Sequence, residues 1–267
     1  MRVLCNSYSQ NCLTVRSLRL NNGGKLRNLV HAMHLGVLGL GLQARKRPLL
    51  NPLRGEGEGH NGDPVGIGHE TVQLALDASH QVRAMARNTD RIKITHPLLE
   101  RHSGDASDPE AVRAALEGVD AVIQVIGVAQ SLRRMATPID MFSRTTAVLV
   151  AKMARVGVQR LVAVTGFGAG ESRKALSFAE RIPHRLFLGT AYDDKDRQEQ
   201  IIRDSELDWL IVRPTILTNG RGGRPYKVLV APEEWRNGLI ARRDVANFLV
   251  AEATTPSHSR VAPVITY

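Results

Sequence analysis

The chain has 267 residues, 43% of them hydrophobic and 23% charged, which suffices for one large α/β domain with a substantial core and requires no second domain. A formal charge of +10 spread over the whole chain would point to nucleic acid or an anionic surface, but it is not spread. Residues 1–60 hold nine Lys/Arg against two Glu, whereas the other 207 hold 27 basic and 24 acidic side chains, so neither nucleic acid nor membrane is expected as a partner.

The first segment, residues 1–61, reads as a poorly structured basic prefix. Its one apolar run, Leu29 to Leu42, is broken by His31 and His34 and is too short and too polar to span a bilayer. As a signal peptide it would have an overlong flank around Lys25 and Arg27 and no small-x-small cleavage site, so export is not expected. Both cysteines, Cys5 and Cys12, lie in this prefix; the rest needs no disulfide, which fits a reducing cytoplasm. Arg45-Lys46-Arg47-Pro48 and the run from Gly55 to Pro64 read as breaker-rich coil.

From Gly66 onward helical and strand patterns alternate. His69 to Ala78 carries an apolar helix face, and Gln81 to Ala86 alternates as a short strand. Leu98 to His102 reads as a brief strand, after which Asp108 caps a helix that has Pro109 in its first turn and stops before Gly118. Ala121 to Gly127 is a buried strand, Phe142 to Val156 a long helix closed by Gly157, and Arg160 to Thr165 another strand. Asp193 to Arg203 is a helix, and Leu207 to Val212 a strand that ends at Pro214. The succession predicts a doubly wound, Rossmann-like parallel sheet over residues 62–267, followed by a small C-terminal lobe on the substrate side. Asp244 is the expected N-cap of a closing helix, and Trp209 and Trp235 are expected in the core.

In such a sheet ligands bind beyond the carboxyl ends of the strands. The turn from Gly62 through Gly66-Ile67-Gly68 stands where helix amides would meet a pyrophosphate, although a glycine-rich loop without a ligand has the same composition. The next strand ends in Arg87-Asn88, with Arg91 close behind, where an NAD site would place an acidic residue. A guanidinium there suits the 2′-phosphate of NADP, with a solvated surface arginine as the alternative. His69, His80, His96, His102 and His184 are scattered without ligand spacing, so no metal is expected.

These segments, together with Gly104-Asp105-Ala106-Ser107-Asp108-Pro109, Val164-Thr165-Gly166, Asp194-Lys195-Asp196-Arg197-Gln198-Glu199 and Leu207 to Pro214, resemble the atypical short-chain dehydrogenase/reductases, the NAD(P)H-binding, NmrA-like group. The likeness runs over about three quarters of the chain. It implies that Arg87 meets the adenosine phosphate, Asp105 and Ala106 flank the adenine, and Gly127 backs the cofactor. Thr165 and Gly166 would border the nicotinamide, with Lys195 over its ribose and Pro214 beyond. Classical members use Ser, Tyr and Lys. Here Tyr192 and Lys195 stand three apart on one helix face, and the Thr165 hydroxyl alone could stand in for the serine. Asp193, Asp194 and Asp196 crowd the same turn and are expected to hold Lys195 as an ion-paired cation.

The first strand of the domain is not recognisable, and Val65 stands where the resemblance expects a glycine. Read one nucleotide later, the codons for Gly55 to Asp63 can spell Val-Lys-Val-Lys-Val-Ile-Thr-Ala-Thr, which is similar to the absent strand and turn. Residues 1 to about 64 are therefore expected to come from a shifted frame, and the strand to be lost or replaced; Leu35 to Leu40 is a poor, glycine-rich substitute. Three readings stay open. They are an NADPH-dependent reductase of a small carbonyl, quinone or flavin-like acceptor, a non-catalytic NADP-sensing or protein-binding regulator, and a defective family member. A homo-oligomer or a protein partner stays open beside the small-molecule substrate.

Overall fold

The computed structural model describes residues 2–6, 13–16, 66–127 and 140–267, which belong to one compact unit. Strands β1 (Arg2–Asn6) and β2 (Leu13–Arg16) come first. Helix α1 (Ile67–Asp77), strands β3 (Gln81–Ala86) and β4 (Leu99–Ser103), helix α2 (Pro109–Leu116), strand β5 (Ala121–Val125) and helix α3 (Met141–Val156) follow. Then come β6 (Arg160–Val164), α4 (Phe178–Arg203), β7 (Asp208–Pro214), β8 (Ile216–Thr218), β9 (Lys227–Leu229), β10 (Leu239–Ala241), α5 (Arg242–Thr254) and β11 (Val264–Thr266). Among the described residues one sheet has the order β4-β3-β1-β2-β5-β6-β7-β11-β9, and β8 and β10 form a second, parallel pair. The pairs β3/β4, β5/β6, β6/β7 and β7/β11 are parallel, so the sheet is the mostly parallel Rossmann-like one the alternation predicts.

The burial pattern explains why these segments become strands. β5 and β6 are buried at every position, as a strand covered on both faces by helices must be. Each fully buried Leu, Ile or Val there contributes roughly 1.5–3 kcal/mol relative to exposure. The helices form two groups: α1 packs against α5, and α3 packs against both α2 and α4. A polar ladder runs through the second group. Gln124 of β5, fully buried, donates from Nε2 to Thr146 Oγ1 of α3 at 2.9 Å, and Gln198 Nε2 of α4 donates to Gln124 Oε1 at 3.1 Å. These bonds take up the Gln124 amide and the Gln198 Nε2 group, leaving the buried Gln198 Oε1 without a partner among the described residues, and they fix α4 relative to the sheet.

Helix ends follow local rules where the rules have no rival. Asp108 accepts from the Glu110 amide at 2.9 Å with Pro109 at the first position, and Gly157 closes α3 at φ 76°. Two ends differ from expectation. α4 starts at Phe178 rather than Asp193, because Ser177 and Glu180 make a capping box in which the Glu180 carboxylate accepts the Ser177 amide at 2.8 Å. Asp244 is not an N-cap. β10 runs straight into α5 and leaves Ala241 at the capping position, while the buried Asp244 carboxylate accepts from the Gly223 amide and the Tyr267 hydroxyl.

The slot of the unrecognised first strand is filled from the prefix, which composition reads as coil. β1 pairs parallel with β3 and β5, and β2 pairs antiparallel with the same two strands. The facing edges of β3 and β5 offer backbone donors and acceptors that an extended segment can satisfy whatever its side chains, so side-chain periodicity does not reveal the occupant. The segment Leu35 to Leu40, the turn residues Gly62 and Val65, and the codons of Gly55 to Asp63 lie outside the described residues. Among the described residues no helix is long and apolar enough to cross a membrane.

Candidate functional site

At the carboxyl end of β6, Thr165 and Gly166 face one side of α4. Tyr192, Lys195 and Glu199 lie three and four residues apart on that helix and so share a face. Lys195 Nζ donates to the Thr165 carbonyl, and the Thr165 hydroxyl donates to Glu199 Oε1 at 2.8 Å. The rings of Phe142 and Tyr192 each lie 5.2 Å from Lys195 Nζ. At Gly166 the space a Cβ would fill is 2.8 Å from the Tyr192 hydroxyl and 3.7 Å from Lys195 Nζ, so both polar atoms converge over one glycine. A side chain there would push the tyrosine away.

The ionisation of this cluster is set by burial. Burial pushes the Lys195 ammonium down to about 8, with Glu199 opposing the shift, and it raises the Tyr192 phenol. The expected clamp of aspartates around Lys195 is absent. Asp193 accepts from Arg173 at 3.0 Å, and Asp196 pairs with Arg173 at 2.9 Å while accepting the Gly170 amide at 2.6 Å. Asp194, fully buried, accepts the Phe142 amide at 2.7 Å and the Ser143 hydroxyl at the start of α3. Successive residues on a helix turn by about 100°, so neighbours one or two positions away face other directions than Lys195.

Behind the cluster stands a buried ion pair. Arg213 of β7 donates from Nε to Glu199 Oε1 at 3.0 Å, and its Nη2 lies 2.5 Å from Glu199 Oε2. The Trp235 ring centroid is 5.0 Å from the Arg213 guanidinium carbon. Gly170, at φ 53°, admits this pair, since a Cβ there would be 2.2 Å from Glu199 Oε2. The expected role of the Thr165 hydroxyl as a stand-in for serine is not met by this geometry: the group is 3% exposed and its proton goes to Glu199.

The residues expected on the adenosine side gather at the ends of β3 and β4. Arg87 is exposed just past β3, followed by Asn88, which accepts the Asp90 amide at 3.0 Å to open a short 3₁₀ turn containing Arg91. Asp105 accepts both the Ser107 amide, at 2.8 Å, and its hydroxyl, at 2.7 Å. Partial burial alone would raise its carboxyl; the Ser107 bonds and the nearby charges of Arg87 and Arg144 outweigh that and hold it low. Arg87 and Asp105, eighteen positions apart, are thus brought together. Ala106 is buried, and Gly127 is exposed beyond β5. Pro214 is buried as the last residue of β7, its carbonyl accepting the Phe167 amide at 2.9 Å. Gly66 precedes α1 with φ −72° and open space where a Cβ would stand, whereas Ile67 and Gly68 are buried in the first turn. Trp209 is buried in the core as expected, and Trp235 is half-buried against Arg213.

Sequence reasoning missed Glu199 and Arg213. The signal was available: an arginine inside the otherwise apolar run of β7 needs a buried partner, and Glu199 follows Lys195 by one helical turn. Among the described residues no group of His, Cys, Asp and Glu is placed to hold a metal ion.

A family model described as NAD(P)H-binding matches residues 65–256. A curated relative, the NAD(P)H azoreductase of Xenophilus azovorans, is 25% identical over 207 residues, covering 75% of this chain and 64% of the relative, so the chain spans less than two thirds of that protein. An anaerobillin reductase from Escherichia coli O157:H7 superposes with a TM-score of 0.63 at 25% identity, over 77% of this chain and 93% of that one. A short-chain dehydrogenase/reductase from Veillonella parvula DSM 2008, solved in complex with NADP, shares the fold with a TM-score of 0.63 at 18% identity, over 75% and 89% of the two chains.

Proposed function

We propose, since the chain belongs to the NAD(P)H-binding family, that residues 62–267 hold NADPH across the carboxyl ends of the sheet and reduce a small carbonyl, quinone or flavin-like acceptor. The convergence of the Tyr192 hydroxyl and Lys195 Nζ over Gly166 carries this reading. When bound, the nicotinamide supplies the hydride. The chain's part is to hold donors where negative charge develops on the acceptor. Lys195, fixed by the Thr165 carbonyl and eased toward neutrality by burial, can release a proton near pH 8, where Tyr192 alone would hold its own.

The residues fit such a cofactor. Open space lies in front of Gly66 at the start of α1, and Arg87 and Asp105 lie together at the opposite end of the dinucleotide path. The exposed guanidinium of Arg87 at the tip of β3 supports NADPH over NADH, because it matches a phosphate and not a bare ribose hydroxyl. Gly127 and Pro214 would border the nicotinamide end. Titration of the purified chain with NADPH and NADH, followed by NADPH oxidation with carbonyls, quinones, flavins and azo compounds, tests the proposal. A chain that neither binds nor oxidises NADPH sinks it.

The Thr165 hydroxyl turned toward Glu199 favours a second reading, a non-catalytic NADP-sensing regulator, because the site then lacks the free hydroxyl of classical members. NADPH binding without turnover of any acceptor in that panel would select it.

A further inference from the structure

Four arginines form a cluster that neither the cofactor nor the acceptor roles above use. Arg242 and Arg243 open α5, and Arg221 and Arg224 flank Gly222-Gly223 in the loop between β8 and β9. The loop is built against the helix. Gly222 and Gly223 have φ of 70° and 80°, which few other residues adopt; the Gly223 amide donates to the buried Asp244 carboxylate at 2.6 Å, and a Cβ at Gly222 would lie 3.1 Å from the Arg243 Cβ. Arg242 Nη1 donates to Asn219 Oδ1 at 2.6 Å, and the Arg224 guanidinium carbon stands 4.3 Å from the centroid of the Tyr267 ring, whose hydroxyl binds Asp244. One scaffold around Asp244 therefore carries all four cations.

Charge within this cluster is unbalanced. Asp244 is buried and taken up by Gly223 and Tyr267, and among the described residues Arg221, Arg224 and Arg242 make no ion pair. Arg243 alone reaches a carboxylate, with Nη1 3.1 Å from Glu70 Oε2. Glu70 lies in the first turn of α1, the helix whose N-terminus would meet the diphosphate, and its negative charge there would oppose an anion.

We infer that Arg221, Arg224, Arg242 and Arg243 form an anion site for the diphosphate bridge of the dinucleotide, with Arg243 cancelling the charge of Glu70. The inference rests on the dinucleotide reading above and adds residues from the C-terminal lobe to it. Guanidinium forks bind phosphate oxygens without the close backbone approach that a glycine turn allows.

The test is a calorimetric titration of the full chain with inorganic pyrophosphate and with NADPH, for wild type, Arg221→Gln/Arg224→Gln, Arg243→Gln and Glu70→Gln/Arg243→Gln. The first two variants are expected to bind both probes about tenfold more weakly and with a shallower salt dependence. The Glu70→Gln/Arg243→Gln pair should recover part of what Arg243→Gln loses, which a misfolded variant would not do. Equal affinity for pyrophosphate in every variant overturns the site. So does a loss of pyrophosphate affinity in the arginine variants with NADPH affinity unchanged, which would assign the arginines to an anion other than the dinucleotide. A wild-type chain that binds pyrophosphate through these arginines but does not bind NADPH overturns the dinucleotide as occupant and, with it, the proposed function.

Discussion

Glu199 and Arg213 face each other across α4 and β7 with side chains 2% and 0% exposed, and the Glu199 oxygen that takes Arg213 Nε also takes the Thr165 hydroxyl. The pair ties the strand end that carries Thr165 to the helix that carries Tyr192 and Lys195. Its strength comes from geometry, since two desolvated charges repay their loss of water only when the hydrogen bonds are complete.

Removing one partner should therefore cost more than removing both. Arg213→Met alone is expected to lower stability by about 3–5 kcal/mol, because it strands a buried carboxylate, whereas Arg213→Met with Glu199→Leu should lose much less. Urea unfolding of the two variants measures the difference. Equal losses would mean that the charges are not coupled.

Lys195 should leave a mark on the pH dependence of stability. Its ammonium falls from 10.5 in the unfolded chain to about 8 in the fold, so between those values the unfolded chain holds a proton that the folded chain has released. Stability contributed by this group thus rises as pH goes from about 8 to 10.5 and is absent below that window. Lys195→Met should flatten the slope there when unfolding is followed across the window. If Lys195 is also the proton donor, NADPH oxidation by the wild type should decline as pH passes about 8. A stability slope identical in Lys195→Met and wild type would contradict the assignment.

Arg87 is expected to discriminate between the two nicotinamide cofactors. Arg87→Ala should weaken NADPH by roughly 10- to 100-fold, the scale of a lost charge-assisted bond, and leave NADH nearly unchanged. Competitive fluorescence titration with both cofactors reads the ratio. Parallel weakening of the two would make Arg87 a structural residue.

Asp194 caps α3 from outside that helix, so its loss should be felt as stability. Asp194→Ala is expected to cost roughly 1–3 kcal/mol, because the Phe142 amide and the Ser143 hydroxyl lose a buried acceptor. Thermal melting would show it. The pH profile of activity should stay in place, whereas a profile shifted in Asp194→Ala would mean that the aspartate acts on Lys195 after all.

The alternation of the chain was enough to predict the Rossmann-like class, and most element boundaries agree within two or three residues. Period-3.6 burial leaves a trace in the order of residues, as α3 shows, whereas β3 is buried at every position after its first and is read from its short run of small and branched residues. The place of Arg87 just past a strand was legible for the same reason, whereas Tyr192 and Lys195 were singled out through the family resemblance and the structure shows that they share a helix face. The partners of those residues were not legible. Asp193, Asp194 and Asp196 are Lys195's neighbours in sequence, yet each binds a group 20 or more positions away, because a helix points adjacent side chains in different directions. Which segment enters the slot between β3 and β5, and which carboxylate meets Arg213, were decided only by tertiary packing. Backbone pairing is blind to side-chain pattern, and a buried charge accepts whatever opposite charge the fold brings within hydrogen-bond reach.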